Sequence, residues 1–494
     1  MHTTPNVASN QAFAFSNYIA PAGTLAIPSG LPGFVQTQVK AEHVARNEGT
    51  KKNPYVHRTL EYRFEGFCEG SDEPKTCPDC GAPLFRHGSF STNLRHVPIG
   101  DRYSVVNVRR DRFRCSNPEC GCSKTAEINF KSKGHLVTEP LRNYAERLLA
   151  FGMTLKQVSH ITGMHKDIVK DIDKARLEKL YTEAGEDGKR TLIKPETQAR
   201  YLGIDEFKLH DGYRFATLIM DMETGCILWL QEGKKKQVVH DFIEHAGPEW
   251  MSKVEAVSAD MNSDFEEAFL EKCPHLKIVF DYFHIVKNLN EKVISEVRKD
   301  EQKRLIEEGD PEAAKSLKNC RYILMSHWDS LKARDAEANA GKIVSKGSEL
   351  FKSEPVKRKG NLLSRYCRLI EQNELFFCLD YVKEAVANAY RQQNTEEMRT
   401  KIKNIVSYCK AVGNVHFEWF ARLLDNHLEG IVSHAEFRLS NGKVEGINQK
   451  IKTIRRASYG LPDNEYFFLK LFDATRQRWK SQNEDKRVEH KNPD

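Results

Sequence analysis

The spacing of hydrophobic positions along the chain changes several times, and each change marks a different kind of element. From Tyr55 the alternation of Val56, Arg58, Leu60 and Tyr62 predicts a strand, and Tyr103 to Arg114 alternates in the same way. From Thr138 the period lengthens. Thr138, Glu139 and Pro140 open a helix that places Leu141, Tyr144, Ala145, Leu148 and Leu149 on one face; Thr154 caps a second, Gly163 makes a turn, and His165 to Tyr181 resumes the pattern through Ile168, Ile172 and Leu180. Two short helices around a tight turn predict a helix-turn-helix module over 135–182.

After a polar linker over 183–198 the period returns to two. Strands are expected at 200–207, 213–222 and 226–230, a helix over 236–245, a strand at 254–260, a helix over 263–273 and a strand at 276–280. That order predicts a ribonuclease H-like mixed sheet in which the first and fourth strands lie side by side. Between 288 and 433 the pattern is helical, with Asn394 and Glu397 forming a capping box and Phe417, Phe420, Leu423, Leu424 and Leu428 sharing a face. Val444, Ile447, Ile451 and Ile454 then predict a helix opened by Ser440, and 466–479 predicts another. The fold expected is multidomain α/β: a flexible tail (1–54), a zinc ribbon (55–130), the helix-turn-helix, a catalytic domain (199–287 and 434–480) split by a helical insertion (288–433), and a charged tail (481–494).

Composition narrows the class. The 494 residues contain 39% hydrophobic positions, enough for roughly three domains with ordinary cores. No apolar run is long enough to span a bilayer, and the first residues lack the layout of a secretory signal, so an intracellular, cytoplasmic protein is expected. The net charge of +7 is modest and favours a nucleic-acid partner only weakly. Half of the twelve cysteines crowd into 68–122, which in a reducing compartment points to metal.

Within that crowd, Cys77-Pro78-Asp79-Cys80-Gly81 and Cys115 to Cys122 form two tight pairs. Cys77, Cys80, Cys115 and Cys120 are the expected zinc ligands, with Cys122 able to replace Cys120 and Cys68 a spare. Arg109, Arg110, Arg112 and Arg114 alternate on the last ribbon strand and fit either a solvated edge or a phosphate-contacting face. Lys166, Lys170 and Lys174 would line the exposed side of the second helix of the helix-turn-helix, where DNA is contacted. Lys352, Lys357, Arg358 and Lys359 punctuate a loop in the insertion and fit DNA contact or a solvated charge run.

The expected chemistry rests on three carboxylates. Asp205 and Asp260 end apolar strands, where an aspartate is costly unless it is paired or binds metal. Glu445 heads a helical stripe with Gln449, Lys452 and Arg456, a carboxylate before a basic row. Two aspartates and a glutamate supply the hard oxygen donors that magnesium or manganese prefers, and hydrolysis of a phosphodiester needs such an ion. Asp281 is an alternative second aspartate, and His284 a packed or reactive accessory.

Gly203-Ile204-Asp205-Glu206-Phe207, Val257-Ser258-Ala259-Asp260-Met261, Asp281-Tyr282-Phe283-His284-Ile285-Val286-Lys287-Asn288 and Ser440-Asn441-Gly442-Lys443-Val444-Glu445-Gly446, in this order behind a zinc ribbon and a helix-turn-helix, resemble the insertion-sequence transposases of the bacterial ISL3 family. The resemblance spans roughly Cys77 to Arg478. It implies a DDE transposase with Asp205, Asp260 and Glu445 as the catalytic, magnesium-binding triad, amino-terminal modules that bind terminal inverted repeats, and a homo-oligomer acting on paired ends. Lys452, Arg455 and Arg456 would then hold DNA beside the triad, in the bacterial nucleoid. A DNA-binding regulator that lost catalysis is the other reading, and the three filled acidic positions favour the enzyme.

Overall fold

The computed structural model describes residues 31–47, 56–68, 75–185, 188–195, 197–209, 214–261, 263–440, 442–457 and 463–476. The expectations for 1–30, 48–54, the last residues of the 466–479 helix and the 481–494 tail fall outside these residues. The chain forms two compact units, residues 1–193 with 454–494, and residues 194–453.

The first unit begins with long strands: β1 (Phe34–Asn47), β2 (Val56–Cys68), β3 (Leu84–Ile99), β4 (Arg102–Cys115) and the short β5 (Ser123–Thr125). Three helices follow, α1 (Glu139–Ala150), α2 (Leu155–Thr162) and α3 (Lys166–Tyr181), then a small hairpin of β6 (Thr182–Ala184) and β7 (Arg190–Leu192). The sheet order is β1-β2-β4-β3, with β5 on β4. Two expectations are corrected here. Residues 34–47 are a strand rather than part of a flexible tail, because they pair with β2 from Phe34↔Cys68 to Asn47↔Val56. The expected linker carries the β6–β7 hairpin, with Arg190 donating to the Thr182 and Glu178 carbonyls.

The helices form as the capping signals require. The Thr138 side chain accepts from the Leu141 amide, and Thr154 with Gln157 closes a reciprocal capping box. Gly163, at φ 68°, makes the turn between α2 and α3. A buried cluster of Leu141, Ala145, Leu149, Val158, Val169 and Ile172 joins the three helices.

The second unit opens with β8 (Tyr201–Lys208), β9 (Phe215–Asp221) and β10 (Ile227–Glu232), then α4 (Lys236–Ala246), α5 (Pro248–Met251), β11 (Ala256–Ala259), α6 (Ser263–Lys272), β12 (Lys277–Phe280) and α7 (Tyr282–Asn288). A π-helical turn at Leu289–Ile294 leads into the largely helical insertion: α8 (Ser295–Glu307), α9 (Pro311–Ser316), α10 (Arg321–Met325), α11 (Trp328–Asn339), a hairpin of β13 (Ile343–Ser345) and β14 (Val356–Lys357), α12 (Leu362–Gln372), α13 (Glu374–Tyr390), α14 (Thr395–Ala411), α15 (Val415–Asn426), α16 (Leu428–Val432) and α17 (His434–Phe437). Helix α18 (Gly442–Ala457) starts in this unit and ends in the first, where α19 (Asn464–Arg476) lies.

The sheet of this unit runs β10-β9-β8-β11-β12, with β8, β9 and β10 antiparallel and β8, β11 and β12 parallel. The first and fourth strands are therefore neighbours, as expected. Side chains alternate across the sheet. Leu202, Ile204, Val257 and Ala259 join Val239, Phe242, Phe265 and Phe269 from α4 and α6 in the core. Gly203, Asp205, Ser258 and Asp260 face the opposite way, toward α18.

Helix α19 docks on α3, burying Leu177, Tyr466 and Leu469. Asp173, fully buried, accepts from the Tyr466 hydroxyl at 2.6 Å and from Lys470 at 2.9 Å, and Arg176 bridges Asp173 and Asp473. The module expected over 135–182 is thus completed by residues nearly three hundred positions downstream. No helix among the described residues is long and apolar enough to cross a membrane.

Candidate functional site

Gly203 decides where α18 sits on the second sheet. A Cβ there would lie 2.4 Å from Met222 Sδ and 2.9 Å from Val444 Cγ2, so only glycine lets the helix come this close. Lys443 fastens the helix start by donating to the Met222 and Glu223 carbonyls at 2.7 and 2.9 Å, and the Ser440 hydroxyl accepts from the Gly442 amide. With Val444 buried, Glu445, Asn448, Gln449 and Lys452 form one stripe that looks onto the ends of β8 and β11.

Between that stripe and the strands lies a cavity of about 860 Å³. Asp205, Asp260 and Glu445 all line it, with His284, Lys234, Lys287, Lys452 and Asn448. Asp205 accepts from the Asn448 side-chain amide at 2.5 Å and from the Glu206 backbone amide at 2.7 Å. Asp260 accepts from the Met261 amide at 2.7 Å and faces His284 Nδ1 at 3.1 Å. The two aspartates are pushed apart electrostatically. Burial raises the Asp205 carboxyl above its usual range, with the Asp260 charge adding to it, against the hydrogen bonds from Glu206 and Asn448. Burial acts on Asp260 too, but the hydrogen bond and charge of His284 outweigh it and hold that carboxyl low. His284 in turn is raised, because Asp260 and Asp205 overcome the cost of burying its charged form.

The donor set suits a hard divalent cation. Three carboxylates line the cavity, and Asn448 Oδ1 is buried with no hydrogen-bond partner among the described residues, leaving one more oxygen. The carboxylate oxygens do not converge within 4.8 Å of one another as the cysteine sulfurs do.

The remaining expectations divide. Asp281 is buried just before α7 and does not line the cavity; its charge acts on Tyr390 and His434 and also on His284, which does. Lys452 lines the cavity, whereas Arg455 and Arg456 do not. Lys170 and Lys174, both half-buried, each ion-pair with Asp463 at 3.2 Å, and Lys166 is exposed. The sequence reading passed over Asn448, Lys234 and Lys287. Asn448 stands three residues after Glu445 and Lys287 three after His284, so helical spacing alone placed each beside a chosen residue; Lys234 carried no comparable signal.

In the first unit, Cys77, Cys80, Cys115 and Cys120 bring their sulfurs within 4.8 Å of one another. Cys77 and Cys120 are 3.6 Å apart and Cys80 and Cys115 3.4 Å, close to the ~3.8 Å edge of a tetrahedron with zinc–sulfur bonds of about 2.3 Å. The turn at Gly81, φ 74°, lets its amide reach the Cys77 carbonyl, and Cys115 is held by the Cys122 carbonyl. Cys122 falls in a second group with Cys77 and Asp79. This cluster can hold a metal ion.

Sheet, cavity and cysteine cluster make this a multidomain α/β protein with a carboxylate-bearing polar cleft and a separate cluster of four thiols able to hold a metal. The family model described as a transposase, for DDE enzymes of the ISL3 type, matches residues 202–471, and the chain belongs to this family of transposases. It is 26% identical over 397 residues, 80% of this chain and 87% of the relative, to the transposase for insertion sequence element IS1001 of Bordetella parapertussis. It is 23% identical over 279 residues, 53% of this chain and 56% of the relative, to the transposase for insertion sequence element IS1557 of two Mycobacterium tuberculosis strains, CDC 1551 and H37Rv.

Proposed function

We propose that Asp205, Asp260 and Glu445 are the carboxylates at which this transposase cuts and joins DNA, on a sheet of ribonuclease H-like topology. The observation that carries this reading is the common cavity: two aspartates on neighbouring parallel strands and a glutamate on a helix packed over them. Magnesium or manganese, when bound there, supplies charge neutralisation at the scissile phosphate and activation of water or a 3′ hydroxyl. The protein groups do the rest. Asn448 fixes the Asp205 carboxylate, His284 keeps Asp260 ionised, and Lys234, Lys287 and Lys452 draw the phosphodiester into the cavity.

Zinc on Cys77, Cys80, Cys115 and Cys120 would hold the ribbon end of the first unit. With Lys170 and Lys174 taken by Asp463, contact with the terminal inverted repeats falls to Lys166 and to the exposed arginines 109, 112 and 114 of β4. Action on paired ends calls for a homo-oligomer.

The test is nicking of duplexes that carry the terminal repeats of the encoding element. The wild-type protein should cut with magnesium and not with chelator, and Asp205→Asn, Asp260→Asn and Glu445→Gln should each bind DNA yet lose cleavage by more than about a thousandfold. Loss of cleavage in Asp281→Asn with activity retained in Asp260→Asn would reassign the second carboxylate.

A further inference from the structure

The β13–β14 hairpin of the insertion ends in a tip that no ordinary solvated loop requires. Leu350 and Phe351 are 83% and 80% exposed, the most exposed large apolar side chains among the described residues, and Ile343, Val344 and Val356 along the arm are exposed as well. Two large apolar side chains adjacent in water are a liability unless something covers them.

The tip is braced. The Ser348 amide donates to Ser353 Oγ at 2.9 Å, the Ser353 amide to the Ser348 carbonyl at 3.0 Å, and the Phe351 amide to Ser348 Oγ at 3.4 Å. A Cβ on Gly347 would meet the Ser353 carbonyl at 2.2 Å, so the two sides of the loop touch backbone to backbone. Lys352 closes the turn at φ 48°. The apolar pair is thus presented at the end of a cross-linked loop.

Charge identifies the occupant. Lys342 and Arg358 are tied down by Glu337 at 2.5 and 2.8 Å at the base of the arm. Lys346, Lys352, Lys357 and Lys359 are exposed and form no ion pair with a described residue, against only Glu349 and Glu354 in the same stretch. Anionic lipid and acidic protein surfaces match both features too, but DNA is the substrate of the transposase family to which the chain belongs, and duplex DNA matches both. Its phosphates take the lysines, and its base steps accept an apolar wedge that unstacks and kinks them.

We propose that the β13–β14 hairpin is a DNA-distorting arm: its lysines grip the backbone of a duplex, and Leu350 with Phe351 enters a base step and opens it. The proposal rests on DNA being the substrate of this transposase and adds a second contact that supplies no catalytic group. It explains why the insertion, otherwise a helical body, carries an exposed two-stranded arm.

The test uses the full-length protein and a short duplex with 2-aminopurine at a central TA step, a step that deforms easily. Binding of the wild-type chain should raise the fluorescence several-fold, and Asp205→Asn should do the same because unstacking needs no chemistry. Leu350→Ser/Phe351→Ser, at a largely exposed tip outside the core, should bind with the fluorescence rise lost. Lys352→Ala/Lys357→Ala/Lys359→Ala should lower the slope of log affinity against log salt by about three. Wild-type binding without unstacking, or unstacking that survives in the serine double variant, would overturn the wedge. So would a serine variant that sediments as fewer subunits while still unstacking, which would assign the tip to a second copy of the chain. Absence of any wild-type binding to DNA would instead overturn the DNA reading as a whole.

Discussion

The Asn448 amide nitrogen lies 2.5 Å from Asp205 Oδ2, joining two residues 243 positions apart. This bond ties the helix that bears Glu445 to the strand that bears the first aspartate. Removing a hydrogen bond to a part-buried carboxylate costs about 1–3 kcal/mol. Asn448→Ala is therefore expected to slow single-turnover nicking by about ten- to a hundredfold and to raise the magnesium concentration needed for half-maximal rate. An unchanged magnesium dependence would show that Asn448 does not order the carboxylates.

Gly203 sets the approach of α18, so a side chain there should push the helix away. Gly203→Ala is expected to cost about 1–3 kcal/mol and to depress nicking, since Glu445 moves with the helix. The contact that would be violated first is with Met222 Sδ. Met222→Ala in the Gly203→Ala background should recover part of both losses. If melting temperature returns and nicking does not, the helix position matters beyond packing; if neither responds, the close approach is not the cause.

The thiol cluster predicts a simple metal inventory. Purified protein should contain about one zinc per chain by elemental analysis, and Cys115→Ser should abolish it and lower the melting temperature of the first unit. Cys122→Ser should keep the metal. The reverse pattern between Cys120 and Cys122 would move the fourth ligand to the group that Cys122 forms with Cys77 and Asp79.

His96 gives the first unit an acid sensitivity. It is 1% exposed, its Nδ1 is 2.9 Å from the Thr138 hydroxyl, and burial depresses it to about 4. The native state refuses a proton that the unfolded chain accepts near pH 6.5. Stability from this residue is thus intact above pH 6.5 and declines as pH falls from there to about 4, by roughly 3 kcal/mol in total. Denaturant melts at successive pH values should show this decline flattened in His96→Phe relative to wild type. Identical profiles would remove His96 as the source.

The sheet of the second unit was legible because its signals are local. Short buried strands alternate with amphipathic helices from Tyr201 onward, and both aspartates end apolar runs on the face that alternation assigns them. What escaped was set by distant partners. The described side chains of 34–45 are half-buried or exposed, and Phe34, Val35, Val39, Ala41 and Val44 keep no strict period of two; the stretch is a strand because β2 supplies the hydrogen bonds. Lys170 and Lys174 had the spacing of a DNA-reading face, and nothing within α3 announces that Asp463 occupies them. The grouping of Cys77, Cys80, Cys115 and Cys120 was readable from their paired spacing, whereas the second group of Cys122 with Cys77 and Asp79 depends on how the 115–122 loop folds back.

Docking of α19 on α3 bears on how the molecule is made. Until residue 476 has left the ribosome, Asp173 has neither Tyr466 nor Lys470, and only Arg176 on its own helix answers its charge. A chain truncated after Ala457 would keep every cysteine and every helix of the amino-terminal module and still leave that module without part of its core. If that module contacts the DNA ends, as proposed, nascent and prematurely terminated products should compete poorly for them, and recognition begins only once α19 has been synthesised.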